Sequence, residues 1–457
     1  MFSHLGGNRG PCTVTVVRVR RIGHYEPPLH PPPPSPRNWT SLSIFEQHES
    51  DVRSYSRRWP VVFSRATGSH LHTEDNRRYL DFFAGAGTLN YGHNNPVLKR
   101  VLLDYVESDG ITHALDMFTS ARRDLLETLV EVVLAPRNMD YKVAFPGPGG
   151  ANAVEAALKL ARTVTGRSGV VHFTNSFHGA TLGALAVTGN PVHRTAAGVP
   201  LTGATPMPFD GYDGQRRPEY LARLLADPGS GLDRPAAVIV ETVQGEGGVN
   251  VAGAEWLRAL AELCRHHEIL LIVDDVQMGC GRTGPFFSFE DAGIVPDMVC
   301  LSKSISGYGL PLALLLIRPE LDVWPPGAHN GTFRGLNTAF VTATEALRTY
   351  WRDDVLEKST RAKGERVADV LQRIVDAHPG AGLAARGRGL AGGLVAGAGT
   401  ADAVSAEAFA RGLLMETSGP RDEVVKLLPP LTISDADLAE GLAILEESVR
   451  VVLERTG

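Results

Sequence analysis

The sequence predicts an α/β protein built on a mostly parallel sheet, with a smaller α+β domain beside it. Between Asp140 and about Arg318 the apolar runs YKVAF, VVHFT, AAVIVE, ILLIVDD, DMVCLSK and LALLLIRP recur, separated by helical patterns. Strands that alternate with helices need crossover connections, which make neighbours parallel and cover both faces of the sheet. The segments before and after this region have a different texture, mixing short strands, glycine and long helices. Chemistry-bearing residues also follow directly after several of the runs, at the carboxyl ends of strands where sheets of this kind bind ligands.

At 457 residues the chain is long enough for about two to four domains. Its formal net charge of -6 provides no broad cationic surface, so nucleic acid is not expected as a partner. No apolar run approaches the roughly 20 residues of a membrane helix, and the start has no apolar signal region with a small-residue cleavage site. Cys12, Cys264, Cys280 and Cys300 are scattered without disulfide-like or metal-like spacing, as expected of reduced thiols in a cytoplasmic protein without a metal site.

Residues 1–42 read as a flexible tail, because PPLHPPPPSP can join neither a sheet nor a helical core. A proline-rich docking segment is the alternative. SIFEQHESDVRSYSRRW reads as one amphipathic helix, and VVFSRATGSHLHTEDNRRYLDFF as a hairpin-like pair of strands turning at Glu74, Asp75 and Asn76. These lie in 43–95, the N-terminal part of the small domain. The large domain is expected over 96–335. From 336 to 457 a helical stretch, the glycine-rich GAGLAARGRGLAGGLVAG and a last helical segment make the C-terminal part of the small domain.

Within the large domain, FPGPGGANAVEAALKLAR joins a strand to a helix whose apolar face is Val154, Ala157, Leu158 and Ala161. A helix start with small residues exposes backbone N–H groups, so Gly150, Ala151 and Asn152 are candidates to hold a phosphate. In TNSFHGATLG, Phe177 can stack on a planar ring, while His178 is either a ligand contact or a packed loop residue. Glu241 and Glu246, in VETVQGEGG, end a buried strand beside glycines and suit a site floor or substrate gate.

Two strand ends carry the sharpest signal. ILLIVDDVQMGCGRTG places Asp274 and Asp275 after one apolar strand, and VCLSKSISGYG places Lys303 after another. A lysine able to form a Schiff base, an acid able to keep a pyridine nitrogen protonated and a phosphate-binding helix start are the parts that pyridoxal phosphate chemistry needs. Asp274, first after the strand, is the better pyridine partner. Asp275 reads as a structural ion pair or helix-start residue. Val276 can pack on the ring face opposite Phe177, and Gln277 can reach the phenolic oxygen.

Taken together, GEGGVN, VDDVQMGCGRTG and LSKSISGYGLP resemble the class III, fold type I pyridoxal phosphate aminotransferases. FFAGAGTLNYGHNNP, DGITHALDM, GTFRGLNTAFVTA and ETSGPRDEVVKLLPPLTI resemble the diaminobutyrate:2-oxoglutarate group of ectoine biosynthesis, from about Ile44 to the C-terminus. The resemblance implies a large domain with a mostly parallel seven-stranded sheet and a small domain, assembled as a homodimer or larger homo-oligomer with pyridoxal 5′-phosphate as cofactor. It also implies that Lys303 carries the cofactor and moves protons, that Asp274 meets the ring nitrogen, and that Thr332 reaches the neighbouring subunit's phosphate.

The implied reaction moves the amino group of L-glutamate to L-aspartate 4-semialdehyde, giving L-2,4-diaminobutyrate and 2-oxoglutarate. Two positions depart from the common pattern: Gly149 and Ala151 stand where hydroxyl residues are frequent, and Lys426 where many relatives carry a carboxylate-binding arginine. Lys426 is the expected anchor for the glutamate carboxylate, with Arg334 and Arg388 as alternatives. Another class III ω-aminotransferase with a different acceptor would share these residues. A racemase or aminomutase would also use Lys303 and Asp274, without consuming an oxo acid.

Overall fold

The computed structural model describes residues 42–456 apart from 213 and 215–217, so the proline-rich tail and Cys12 lie outside the described residues. By its contacts the chain separates into a segment ending at Ser54 and a body from Tyr55 to Gly457. The single amphipathic helix expected at this boundary is instead two short ones, Ser43–His48 and Tyr55–Arg58. Ser50, Asp51 and Ser54 lie between them, and side chains of this kind offer the backbone hydrogen bonds that compete with helix.

The body is organised on a seven-stranded sheet. Its strands run in the order Lys142–Ala144, Leu314–Ile317, Met298–Leu301, Leu270–Asp274, Ala237–Val240, Val170–Phe173 and Ala204–Met207. Leu314–Ile317 pairs antiparallel with both neighbours, and the remaining pairings are parallel. The edge strand Ala204–Met207 was not expected from sequence. Its four residues include Pro206, which a strand tolerates at an edge, and they form no apolar run.

Alternation along the central strands explains why both faces are covered. Ile239, Ile272, Cys300 and Leu315 pack with Val154, Ala157, Leu158 and Ala161 of the helix Gly150–Thr165. Val238, Val273, Val299 and Leu316, one residue along each strand, join the opposite core with Leu98, Leu125, Leu257 and Phe340 from four further helices.

Two smaller sheets flank this layer. Phe63–Thr67, His70–Thr73 and Arg78–Asp81 form an antiparallel meander, and Leu413–Leu414 adds in parallel to its last strand. The turn at 74–76 falls where expected, with Asn76 at φ +63°. A second turn at Gly68, φ +57°, makes three strands of the expected pair. Ala384–Arg388, Ala391–Val395, Val424–Leu427 and Glu416–Ser418 make an antiparallel sheet from the glycine-rich C-terminal region. Among the described residues no helix is long and apolar enough to cross a membrane.

One buried polar network ties the two regions together. Asp275 accepts from the Ser288 N–H at 3.0 Å and from its hydroxyl, and the Ser288 hydroxyl lies 2.6 Å from that of Thr242. Arg388 donates from Nη2 to Thr242 Oγ1 and to the Ser288 carbonyl, both at 2.8 Å. Arg388 is therefore committed to holding strand Ala384–Arg388 against the large sheet and is not a substrate anchor. Burial raises the Asp275 carboxyl from 3.8 to about 7, against the hydrogen bonds from Ser288.

Two outcomes are expected. Gly364, inside the helix Val355–Ala377, sits where an added Cβ would fall 2.5 Å from the Gly389 carbonyl oxygen. Gly364→Ala should therefore destabilise the protein by about 1–3 kcal/mol in urea unfolding, despite alanine's better helix propensity. For Asp275, the folded state keeps a proton that the unfolded chain releases, so its contribution to stability falls as pH rises from 3.8 to about 7. Thermal melts of Asp275→Asn across that window should lack this component of the downward slope.

Candidate active site

The parallel strands deliver their C-terminal ends to one edge. Asp274 ends one strand, Lys303 follows the next, Glu241 follows Val240, and Phe177 and His178 follow the strand ending at Phe173. These residues, with Gly150, Ala151, Val276, Gln277 and Glu246, line one cavity of about 200 Å³. Asn152, Thr332, Arg334 and Lys426 do not line it.

Lys303 is held in a strained backbone conformation, φ +52°, immediately after its strand. Its Nζ donates to the Ala86 carbonyl at 2.9 Å, and Gln277 Nε2 donates to the same oxygen at 3.0 Å. Ala86 belongs to an unusual left-handed turn, since Ala84, Gly85, Ala86 and Gly87 have φ values of +47°, +59°, +55° and +79°. Each alanine costs about 1–2 kcal/mol in that region. Asp81 offsets this by accepting from the N–H groups of Phe83 and Ala84, both at 2.8 Å. Burial pushes the Lys303 ammonium below the ordinary lysine range, against the pull of the Glu246 carboxylate.

Asp274 is buried and doubly oriented. Its Oδ2 lies 2.7 Å from His178 Nδ1, and its Oδ1 accepts from the Val276 N–H at 3.1 Å. Burial disfavours the charged imidazole, but the hydrogen bond and charge of Asp274 outweigh it and raise the His178 pKa. His178 thus lines the cavity and orients Asp274. Glu241 accepts from the Phe177 N–H at 2.9 Å, and burial pushes its carboxyl up to about 8.

The helix Gly150–Thr165 starts at the cavity wall. A side chain at Gly150 would place its Cβ 2.8 Å from Val276 Cγ1, so the close approach of helix start and loop requires glycine. Asn152, expected to contribute to a phosphate site, is turned inward instead. Its N–H donates to the Gly149 carbonyl at 2.9 Å and its Oδ1 accepts from the Gly149 N–H at 3.0 Å, a reciprocal cap. Gly150 and Ala151 line the cavity at the helix start.

Lys426 departs most from expectation. It is fully buried between two carboxylates, with Nζ 2.7 Å from Glu246 Oε1 and 3.0 Å from Glu416 Oε1. It does not stand open as an anchor for a substrate carboxylate. Burial lowers its pKa, but the two glutamates win and lift it to about 12. Glu246 is held down to about 2, because Lys426 and Lys303 overcome the effect of burial. Glu416 is shifted upward by burial.

Arg334 lies elsewhere, lining a separate cavity of about 350 Å³ with its Nη1 3.6 Å from Asp116. Thr332 is exposed in the preceding loop, and its carbonyl oxygen lies 2.9 Å from His113 Nε2. Neither reaches the cavity of its own chain.

These residues fit a bound pyridoxal phosphate. Gly150 and Ala151 offer N–H groups to a phosphate, Asp274 a carboxylate to a ring nitrogen and Lys303 an amine to a carbonyl carbon. His178 Nε2 and Gln277 Oε1 are buried without a hydrogen-bond partner, and orphaned atoms on a cavity wall are positions a ligand can satisfy. Sequence reasoning missed Ala86 and Glu416. The small-residue repeat AGAG signalled the first, whereas nothing local distinguished the second from a surface glutamate.

Comparison with known proteins places this arrangement. A family model described as aminotransferase class-III matches residues 52–449. Diaminobutyrate--2-oxoglutarate transaminases from Nocardia farcinica and Streptomyces anulatus are 64% and 63% identical over 413 residues, each covering 90% of this chain and 94% and 98% of their own length. The one from Halomonas elongata is 58% identical over 89% of this chain and 98% of its own. Ornithine aminotransferase from Toxoplasma gondii superposes with a TM-score of 0.79 at 27% identity, over 90% of this chain and 95% of that one. An aminotransferase from Bacillus anthracis, 23% identical, shares the fold with a TM-score of 0.80 over 90% and 98%. The chain belongs to the class-III aminotransferase family.

Proposed function

We propose that this enzyme transfers the amino group of L-glutamate to L-aspartate 4-semialdehyde, giving L-2,4-diaminobutyrate and 2-oxoglutarate. The observation that carries the reading is the meeting of Lys303, the Asp274–His178 pair and the Gly150 helix start in one cavity. The identity to diaminobutyrate--2-oxoglutarate transaminases selects the substrates.

The cofactor is pyridoxal 5′-phosphate, which when bound supplies an electron sink for the charge left at the substrate carbon as its proton departs. The residues around it divide the remaining work. The N–H groups of Gly150 and Ala151 would hold the phosphate. Asp274, oriented by His178, would offer its carboxylate to the ring nitrogen. Phe177 and Val276 would flank the ring, and Gln277, whose free Oε1 is an acceptor, would take a hydrogen bond from its phenolic hydroxyl. Lys303 takes the proton from the substrate carbon at Nζ and returns it at the neighbouring centre, a role suited to an amine whose pKa is lowered by burial. Amino donor and acceptor use the same site in turn, so ping-pong kinetics follow.

The reading extends to assembly and setting. Thr332 is assigned to the phosphate of a neighbouring subunit's site in a homodimer, which its exposed loop position favours. The three buried free thiols Cys264, Cys280 and Cys300 suit the cytoplasm. Ectoine, a siderophore and a diaminobutyrate-containing peptide would all draw on this product, and the motifs shared with the ectoine group favour the first.

Addition of L-glutamate or L-2,4-diaminobutyrate to the cofactor-loaded enzyme should convert the lysine-linked absorbance band to that of the amine form. A band that neither donor changes would refute the assignment. Lys303→Ala should lower the half-reaction rate by at least about 10²-fold. Hybrid dimers of Lys303→Ala and Thr332→Ala subunits should regain activity that neither variant has alone. No recovery in verified hybrids would argue that Thr332 does not act across the interface.

A further inference from the structure

The Lys426 site holds more negative charge than it needs. One ammonium faces two carboxylates, Glu246 at 2.7 Å and Glu416 at 3.0 Å. The two glutamates are placed differently. Glu416 lies directly opposite Lys426 in the antiparallel register of strands Glu416–Ser418 and Val424–Leu427, so sheet pairing fixes it to that partner. It is 2% exposed and is also hydrogen-bonded by the phenol of Tyr55, whose ring packs against Phe83 at a centroid distance of 4.9 Å. Glu246 lies on a loop, lines the cavity and receives a second hydrogen bond from Gln277 at 2.9 Å.

Lys303, the other amine acting on Glu246, is the one the cofactor takes up, and a lone Glu246–Lys426 pair would then be neutral. With Glu416 behind the lysine, Lys426 is satisfied from the sheet side and the surplus charge falls on the carboxylate facing the cavity. The two amino donors differ in what such a charge would meet. Diaminobutyrate reacts through its C4 amino group and keeps an ammonium and a carboxylate at its far end. Glutamate reacts through its only amino group and keeps carboxylates alone.

We propose that Glu416 is a specificity-determining residue, which neutralises Lys426 from within the sheet and leaves Glu246 as the anionic partner for the second ammonium group of a diamino acid. Glu416 acts through Lys426 and Glu246 and touches no substrate. The inference rests on the diaminobutyrate reading of the site.

The test compares L-2,4-diaminobutyrate with 4-aminobutyrate, which has the same reacting amine and carboxylate but lacks the second ammonium. Single-turnover half-reactions of the holoenzyme should favour diaminobutyrate in kcat/KM by about tenfold or more, the scale of a charge-assisted contact. In Glu416→Gln that ratio should collapse, chiefly through KM for diaminobutyrate, while inhibition by glutarate becomes tighter. Glu416→Asp, which keeps the charge, should restore the preference. A wild-type ratio near one, with good turnover of both compounds, overturns the inference without any variant and leaves the functional reading standing. An unchanged ratio in folded Glu416→Gln also overturns it. Absence of amino transfer from diaminobutyrate in the wild type would instead sink the functional reading.

Discussion

The parallel pairing of two buried strands governs the rest of the site. Ile272, Val273 and Asp274 lie in register with Met298, Val299 and Cys300, so the residues that follow each strand emerge at the same edge. Asp274 and Lys303 are separated by a long crossover in sequence yet share a cavity wall because of this register. A slip of one residue would turn Ile272 and Cys300 away from the helix Gly150–Thr165 and rotate Asp274 out of reach of His178. Packing on both faces of the sheet thus protects the geometry of the chemistry.

Around that edge, conformational strain and charge are held in place by buried partners. The left-handed turn at 84–87 would be unfavourable alone, but Asp81 secures its start and Lys303, Gln277 and Ser304 bond its last carbonyls. Asp274 is balanced by His178, and Lys426 by Glu246 and Glu416. Removing one member of such a set leaves a buried charge without its partner, which costs far more than an exposed ion pair is worth. The cavity is therefore preorganised, its polar groups oriented by buried neighbours.

The small sheets add what the large sheet cannot provide. Leu413–Leu414 pairs with Arg78–Asp81, so a C-terminal strand stabilises the strand that leads into the left-handed turn. Strand Val424–Leu427 brings Lys426 beneath the Glu246 loop. Arg388 anchors its strand to Thr242 and Ser288, beside the loops that carry Glu241 and Asp275. Segments that precede and follow the large sheet in sequence thus pack around the candidate site.

Much of this was legible in the chain itself, for local reasons. Five strands of the large sheet stand out as apolar runs because they are buried on both faces; Lys142–Ala144, at one edge with its lysine exposed, is marked only by the apolar residues of YKVAF, and Ala204–Met207, the short proline-containing edge opposite, has no such run. Lys303, Asp274 and Gly150 declare themselves by following those runs, since a parallel sheet sends every strand end to one side. Other features depend on partners distant in sequence. Asn152 turned inward to cap its own helix, Lys426 closed between two glutamates, and Arg388 became a strut, each decided by which groups were left unpaired after the sheets had packed. The sequence alone determined six of the seven strands of the large sheet and the candidate residues that follow them, because periodicity and burial are local properties. Only the tertiary structure decided which buried charges face one another, because that follows from strand register and from the need to pair every ion removed from water.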